Sequence, residues 1–377
     1  MLILLKKDNK QQHKFLLDMK LVFIVGSLTD SHIIKRVEAF IEQGYEVDLY
    51  GYMRGVNFTN RFSKIEPKVI GQLQNAHYYK RLLKGYKEVR DIIKQYPNDT
   101  LFYVWGYDIA MVNWFLHTRY IYEISDIRWG KFPSPLRRVF GWLDRSIINR
   151  SKLTLLTSEG FIGFIGLPEE LKKKIVLMPN KLAPQMLLMK RPDSSSKGRR
   201  IRIGYIGLYR YPNTVVKMAR MIGEEFKNKM EFHFSGLSNS PELKALIEGI
   251  AKDYDNVYEH GPFKNPDDLS RVYDTIDVVA ANYDTSGMNE RVAEPNKLYE
   301  SIFFNKPIIV SEGTFLSEKV KQLGCGFVLN NDDESMRSFL NGLTCEKVYE
   351  IAEIENRIES KWLVEQYEDL FTRINNL

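Results

Sequence analysis

A carboxylate on a short helix in front of a buried strand is the most informative chemical feature of this 377-residue chain. Residues 294–311 read Glu-Pro-Asn-Lys-Leu-Tyr-Glu-Ser-Ile-Phe-Phe-Asn-Lys-Pro-Ile-Ile-Val-Ser, which predicts a helix over 296–304, a Lys-Pro stop and a strand. Leu298 and Ile302 can face a core, whereas Glu300 lies elsewhere on the helix. A carboxylate held near a strand end can accept hydrogen bonds from sugar hydroxyls. A solvated glutamate on an amphipathic helix is the alternative.

A glycine-containing turn follows a second predicted strand, which begins at Ile201. Residues 204–213 read Gly-Tyr-Ile-Gly-Leu-Tyr-Arg-Tyr-Pro-Asn. At Gly207 and Leu208 the backbone N–H groups can approach a phosphate, and Arg210 can neutralise a diphosphate with paired hydrogen bonds. The third glycine of the dinucleotide fingerprint is missing, so an ordinary tight turn explains the pattern equally well.

A third turn with polar and aromatic residues follows another predicted strand of the same region. Residues 260–263 read His-Gly-Pro-Phe, so Gly261 and Phe263 can contact a nucleobase through the backbone and a ring face. An ordinary turn is again the alternative. In combination, a phosphate turn, a base-contacting turn and a carboxylate for a ribose, all at strand ends, indicate a pocket for a nucleotide sugar.

Polar and aromatic residues also follow the predicted strands of the first half. Asp126 comes directly after an apolar strand, where a carboxylate can activate an acceptor hydroxyl; capping of the next helix is the alternative. Ser27, Asp30 and His32 lie in the first loop and can contact an acceptor or a sugar, although helix capping explains the serine and the aspartate as well. Trp105 can stack on a sugar ring.

Strands and helices alternate throughout the chain, which predicts an α/β fold with parallel sheets covered on both faces. The pattern restarts after a polar stretch rich in serine. The sequence therefore predicts two Rossmann-like domains, with the following boundaries: an extension of poor order over 1–18, a first domain over 19–190, a linker over 191–200, a second domain over 201–345, and a helical region over 346–377.

Composition limits the class of protein. A hydrophobic content of 44% and a charged content of 27% are globular values, and the net charge of +6 comes with no nucleic-acid-binding signature. The two cysteines, Cys325 and Cys345, lie far from any metal-ligand spacing and favour a reducing compartment. We therefore expect a cytoplasmic protein that binds no nucleic acid.

Two stretches, 78–94 and 131–150, interleave basic and aromatic residues. Such helices suit docking on an anionic membrane, which predicts a peripheral location on the inner face of the cell membrane. The competing interpretation is core packing, because Leu136, Val139, Phe140, Leu143 and Ile147 form one helical stripe, with the basic residues on a solvated face.

At this point a family resemblance is clear. Residues 201–330 resemble the donor domain of GT-B glycosyltransferases, particularly the family 4 type known as group 1. In that family a turn like 203–210 meets the donor diphosphate, a passage like 256–279 surrounds the base, and a segment like 297–311 holds the ribose. Glu300 matches the second glutamate of the family's Glu-x7-Glu pair. The resemblance implies that the first domain, 19–190, binds the acceptor, that the second, 201–345, binds the donor, and that the region 346–377 packs back on the first domain. It covers most of 19–377 but is specific only in the second domain.

The resemblance implies transfer of a sugar from a nucleotide diphosphate donor, UDP- or GDP-linked, to a glycan or lipid-linked acceptor in bacterial surface polysaccharide synthesis. It favours a retaining outcome. No cofactor beyond the donor is implied, and the absence of an Asp-x-Asp sequence agrees with a metal-independent mechanism. The implied donor-binding residues are Gly207, Leu208, Arg210, Gly261, Phe263, Asn296, Lys297, Leu298 and Glu300.

Two positions depart from the family pattern. Val292 stands where the first glutamate of the pair is expected, and Asn305 stands where glycine is usual. Glu294 is our prediction for the substitute sugar contact, and it joins Asp126 as a candidate catalytic residue. Two alternative functions remain: a UDP-sugar 2-epimerase of the same fold, and a non-catalytic GT-B-like subunit that binds sugar nucleotides.

Overall fold

The computed structural model describes residues 20–53, 62–72, 78–191 and 200–377, and for 78–83 the backbone only. The predicted extension over 1–18 and residues 192–199 of the predicted linker lie outside the described residues. Among those described, no helix combines the length and the apolar character that a membrane span requires.

The chain forms two compact units whose boundaries differ from the predicted ones. Residues up to Met178 and the segment Gln366–Leu377 belong to the first unit, and Pro179–Glu365 forms the second. The structure places the division between Met178 and Pro179, 12 residues before the predicted end of the first domain at 190. Composition reports local polarity and not where the chain passes from one unit to the other.

The first unit contains a parallel sheet with helices between its strands. Its described strands are β1 (Lys20–Val25), β2 (Glu46–Met53), β3 (Lys68–Gln72), β4 (Leu101–Trp105), β5 (Arg119–Ile124), β6 (Leu153–Leu156) and β7 (Ile175–Leu177). They lie in the order β3-β2-β1-β4-β5-β6-β7. The helices are α1 (Ser31–Glu42), α2 (Tyr78–Ile93), α3 (Tyr107–Phe115), α4 (Ser134–Arg150), α5 (Gly160–Ile165) and α6 (Glu169–Lys172), with a 3₁₀ turn at Arg128–Lys131.

The central strands of this sheet are apolar on both faces, since helices cover both. Leu21 to Val25 have no solvent exposure. β3 is an edge strand in which no residue is buried, which explains why its residues carry no clear apolar pattern.

The second unit repeats this architecture. Its described strands are β8 (Ile201–Leu208), β9 (Met230–Leu237), β10 (Val257–Glu259), β11 (Val278–Ala281), β12 (Ile308–Ser311) and β13 (Gly326–Leu329). All pairs are parallel, in the order β10-β9-β8-β11-β12-β13. The helices are α7 (Lys217–Glu225), α8 (Pro241–Asp253), α9 (Leu269–Asp274), α10 (Met288–Val292), α11 (Lys297–Phe303), α12 (Phe315–Leu323), α13 (Asp333–Gly342), α14 (Cys345–Glu355) and α15 (Ser360–Leu363). A π turn at Pro212–Val216 precedes α7, and a 3₁₀ turn lies at Pro184–Leu188.

The predicted helical region over 346–377 is broken, and only its end belongs to the first unit. α14 and α15 belong to the second unit, where α11 contacts both. After α15, Val364 is extended and forms a parallel bridge with Leu182, which ends the helix. The last helix, α16 (Glu368–Asn375), buries Leu370 and Phe371 in the core of the first unit. The structure thus places 346–365 in the second unit and only Gln366–Leu377 in the first.

The predicted core stripe of α4 is buried only in its second half. Ile147 has no solvent exposure, whereas Leu136 and Val139, on the same helical stripe, are more than half exposed. The apolar periodicity of a helix identifies a face, but it does not tell how far the neighbouring elements extend along that face.

Candidate functional site

Three turns at the carboxyl edge of the second sheet are joined directly to one another. The N–H of Gly236, at the end of β9, donates to the carbonyl of Gly261, after β10, at 2.8 Å. The N–H of Tyr209, after β8, donates to the Leu237 carbonyl at 2.7 Å. A Cβ on Gly236 would lie 1.8 Å from the Gly207 oxygen, so only glycine allows these turns to touch. The predicted phosphate and base turns therefore form one surface.

The strand order reverses at this edge. β8 pairs with β9 on one side and with β11 on the other, and β12 and β13 continue beyond β11. In open parallel sheets, ligands bind outside the carboxyl ends of the strands at such a reversal. Gly207, with φ at 124°, lies there, and the Cε atom of Lys297 is 3.9 Å from where its Cβ would be. The predicted diphosphate turn and α11 thus meet at the reversal.

Glu300 is a buried carboxylate with three protein partners. It is 2% exposed. Its Oε2 accepts hydrogen bonds from Tyr273 Oη at 2.7 Å and from Lys297 Nζ, and its Oε1 accepts from Asn296 Nδ2 at 2.9 Å. The alternative of a solvated glutamate is therefore excluded. Because a carboxylate oxygen can accept two hydrogen bonds, Oε1 retains the capacity to bind one further hydroxyl.

The helix that carries Glu300 is not amphipathic, contrary to the expectation from sequence. All seven residues of α11 are buried, and Leu298 has no exposure and packs in the core. The predicted contact of Leu298 with the donor is wrong for its side chain, since the core encloses it. Asn305, which follows the helix, has φ at 52°, the left-handed conformation for which glycine and then asparagine are best suited. This explains the departure from glycine in physical terms.

The turn after β10 is fixed by a glutamate that sequence reasoning missed. Glu259 Oε1 accepts from the N–H of Gly261 at 3.0 Å and from Tyr209 Oη at 2.8 Å. Gly261 has φ at 76°, and Phe263 is half-buried against the core that also contains α11. A ring and partly exposed backbone are thereby held beside the phosphate turn.

A second carboxylate is connected to the phosphate turn. Tyr211 follows the exposed Arg210, stacks on Tyr283 at 4.8 Å and donates from its hydroxyl to Glu290 Oε1 at 3.5 Å. Glu290 Oε2 is buried and has no hydrogen-bond partner among the described residues, and it lies against Gly287 so closely that a Cβ there would be 2.1 Å away. Burial raises the pKa of the Tyr211 hydroxyl, and Glu290 raises it further.

Glu294, the predicted substitute for the missing glutamate, lies in a different environment. It is buried, and its Oε1 accepts from the hydroxyl of Tyr299. The Lys181 ammonium lies over the rings of Tyr299 and Trp362 at 5.4 and 4.5 Å. Burial lowers the pKa of Lys181, an effect that Glu294 opposes. These contacts explain Glu294 as part of a packed polar cluster.

In the first unit, the predicted rim residues lie at the carboxyl ends of neighbouring strands. Ser27 is buried and its Oγ lies 3.0 Å from the hydroxyl of Thr29. Asp30 is the N-cap of α1, where its carboxylate accepts from the His32 N–H at 3.0 Å. The capping alternative therefore applies to Asp30 but not to Ser27.

Trp105 and Asp126 differ in exposure. Trp105 is buried, and its Nε1 donates to Ser125 Oγ at 2.8 Å, so the indole ties β4 to β5. The burial of its ring does not favour the predicted stacking on a sugar. Asp126 is exposed after β5, and the N-cap of the following 3₁₀ turn is Ile127 and not the aspartate. Asp126 is thus a solvent-exposed carboxylate on this rim.

His32 belongs to a buried charge cluster that sequence reasoning missed. Glu123, on β5, accepts hydrogen bonds from His32 Nε2, from the Tyr103 hydroxyl and from Arg36 Nη2, the last at 3.2 Å. Glu123 and Arg36 have no solvent exposure. Burial alone would raise the pKa of Glu123, but Arg36 and His32 lower it to about 2. A glutamate within an apolar strand was the available signal in the sequence.

Comparison with known proteins gives a consistent result. No protein-family model matches the chain. The succinoglycan biosynthesis protein ExoL of Rhizobium meliloti (strain 1021) is 23% identical over 350 residues, which span 86% of this chain and 85% of that protein.

Two solved structures cover nearly the whole chain. Anabaena Alr3699/HepE, in complex with UDP and glucose, superposes with a TM-score of 0.67 at 13% identity, over 95% of this chain and all of that one. WaaG, a glycosyltransferase involved in lipopolysaccharide biosynthesis, gives a TM-score of 0.66 at 14% identity, over 91% of this chain and 97% of that one. Together with the two parallel sheets, these likenesses show that the chain has the GT-B fold. The predicted fold class is confirmed.

Proposed function

We propose that the protein is a glycosyltransferase that moves a sugar from a nucleotide diphosphate donor to a glycan or lipid-linked acceptor in bacterial surface polysaccharide synthesis. One observation carries the proposal: the Gly207 turn, Lys297 and Glu300 meet at the strand reversal of the second sheet. The similarity to a succinoglycan biosynthesis protein and to structures that contain UDP supports the substrate class.

In this proposal the second unit binds the donor. Backbone N–H groups of the Gly207 turn and the charges of Arg210 and Lys297 hold the diphosphate, and Glu300 Oε1 accepts from a ribose hydroxyl. Phe263 and the backbone at Gly261 contact the base. As the bond to the sugar breaks, negative charge grows on the leaving diphosphate, and fixed cations stabilise that charge without a metal ion.

The acceptor is assigned to the first unit. Asp126 is the exposed carboxylate at the end of β5, and we assign it the role of the base that accepts the proton of the acceptor hydroxyl. His32 is held by Glu123 and Asp30, so its role is to keep the neighbouring loop in place.

We assign recognition of the donor sugar to Glu290 and not to Glu294. Glu290 is linked through Tyr211 to the phosphate turn, and its Oε2 has no hydrogen-bond partner among the described residues. Glu294 is instead enclosed with Tyr299. A buried acceptor atom without a partner is costly, and a sugar hydroxyl would satisfy it.

Glu290→Gln should therefore weaken binding of the nucleotide sugar by about tenfold and leave binding of the nucleoside diphosphate unchanged, because only the sugar contact is lost. Isothermal titration with both ligands measures this difference. The matched variant Glu294→Gln should change neither affinity. Equal losses for the two ligands in Glu290→Gln would contradict the assignment.

A panel of UDP-, GDP- and dTDP-sugars, incubated with and without oligosaccharide and lipid-linked acceptors, tests the function. We expect release of nucleoside diphosphate together with a glycosylated product. Interconversion of the sugar without an acceptor would instead indicate the 2-epimerase, and binding without turnover the non-catalytic subunit. Proton NMR of the product distinguishes retention, which the family resemblance favours, from inversion.

A further inference from the structure

The outer face of α4 presents large apolar side chains to solvent. Leu136, Val139 and Trp142 are 51, 58 and 59% exposed, respectively. They follow one another at a spacing of three residues, which places them on one side of the helix over two turns. Contiguous exposed apolar residues on a globular protein mark a surface that contacts something else.

The exposed charges of the segment that carries this face have one sign, although Arg128 pairs with Asp108 of the neighbouring helix at 3.8 Å. Between 128 and 150 the chain contains six basic residues and one acidic residue, Asp144. Asp144 is buried, where it accepts hydrogen bonds from Tyr122 and Trp129. Lys131 and Arg138 are exposed, and Arg137 is partly exposed. The face therefore combines apolar side chains with positive charge, and no exposed carboxylate of α4 opposes them.

The second half of α4 packs in the first unit, which holds the exposed face in a fixed position. Ile147 and Ile148 are buried without exposure. Phe140 packs on Phe132 at 4.9 Å, and Arg145 Nη1 donates to the Ile165 carbonyl at 2.9 Å. The exposed first half therefore projects from a helix whose second half is held by the core.

We propose that this face docks on an anionic lipid bilayer. Leu136, Val139 and Trp142 enter the boundary between head groups and acyl chains, and Lys131, Arg137 and Arg138 lie over the anionic head groups. Charge complementarity favours an anionic bilayer as the partner, because basic residues, which complement anionic head groups, flank the apolar ones along the same helix. The inference goes beyond the proposed function, because it concerns where the protein works and needs neither donor nor acceptor.

Vesicle flotation with the full chain tests the proposal. Phosphatidylcholine vesicles that contain phosphatidylglycerol should bind the protein, and added salt should weaken the binding. The double variant Leu136→Ser/Val139→Ser and the double variant Arg137→Glu/Arg138→Glu should each lower the bound fraction by at least about tenfold. Leu188→Ser is the matched control: this leucine of the second unit is 89% exposed, and its replacement should change nothing.

Brominated lipid gives a second readout at one position. Trp142 is the exposed tryptophan of this helix, so vesicles with brominated acyl chains should quench part of the fluorescence, and Trp142→Phe should abolish that part. Equal flotation of wild type and both double variants would overturn the proposal. So would an absence of vesicle binding together with a dimer that Leu136→Ser/Val139→Ser converts to a monomer, because a second copy would then cover the face.

Discussion

Lys297→Met should lower kcat/KM for sugar transfer by about 10²- to 10³-fold, the range observed when a fixed charge or donor to a developing anion is removed. Lys297 lies beside Gly207, at the phosphate turn, on a buried helix that holds it in place. Its ammonium therefore needs no rearrangement when charge grows on the leaving diphosphate. Steady-state kinetics with the donor found in the panel measures the effect.

Loss of activity in Lys297→Met has a second origin to consider, and a double variant separates it from the loss of the contact with the diphosphate. Lys297 also pairs with Glu300, whose carboxylate would be left buried without its cation in Lys297→Met. Lys297→Met/Glu300→Gln removes both charges and relieves that cost. If the lysine serves the diphosphate, the double variant is less active than Glu300→Gln alone. Equal activity of these two variants would show instead that the lysine acts only through its pair with Glu300.

Glu123→Gln should destabilise the first unit by about 3 kcal/mol or more, because it leaves the guanidinium of Arg36 buried without its carboxylate. Hydrogen exchange of peptides from β1 and β5 reports the stability of this unit directly. Glu169→Gln, at a side chain that is 83% exposed, is the matched control and should change stability by less than about 0.5 kcal/mol. Equal protection in Glu123→Gln and wild type would contradict the role of the cluster.

The same carboxylate makes the first unit sensitive to acid. The pKa of Glu123 is about 2 in the folded protein, against 4.5 for the free group, so the folded state binds this proton less readily than the unfolded state. Its stabilisation is therefore fully present above about pH 4.5 and is lost as the pH falls through about 2. Glu123→Gln should lack this part of the pH dependence in the same exchange measurement.

Local patterns predicted the strand ends well, and with them the positions of several residues that we assign to the donor. Gly207, Gly261, Lys297 and Glu300 lie at the edge where the alternation of strands and helices placed them. The burial of Glu300 was not predictable from local sequence. Its partner Tyr273 is 27 residues away along the chain, and α14 and α15, which contact α11, come later still.

Other misses have different physical causes. The exposed half of α4 has the same apolar period as the buried half, and periodicity does not tell where a core ends. The break after α15 depends on the pairing of Val364 with Leu182, a contact between distant segments. A buried charge cluster around Glu123 could have been predicted, since a charge inside the apolar strand Arg119–Ile124 needs partners.

Titration of UDP and GDP into wild type and Glu300→Gln tests the central claim most directly, namely that α11 presents a ribose ligand at the strand reversal. We expect wild type to bind one of the two, and Glu300→Gln to bind it at least about tenfold more weakly while remaining folded, since a charged acceptor has been replaced by a neutral one. Glu312→Gln, at an exposed carboxylate after β12, should bind as wild type does. Unchanged affinity in a folded Glu300→Gln variant would contradict the account.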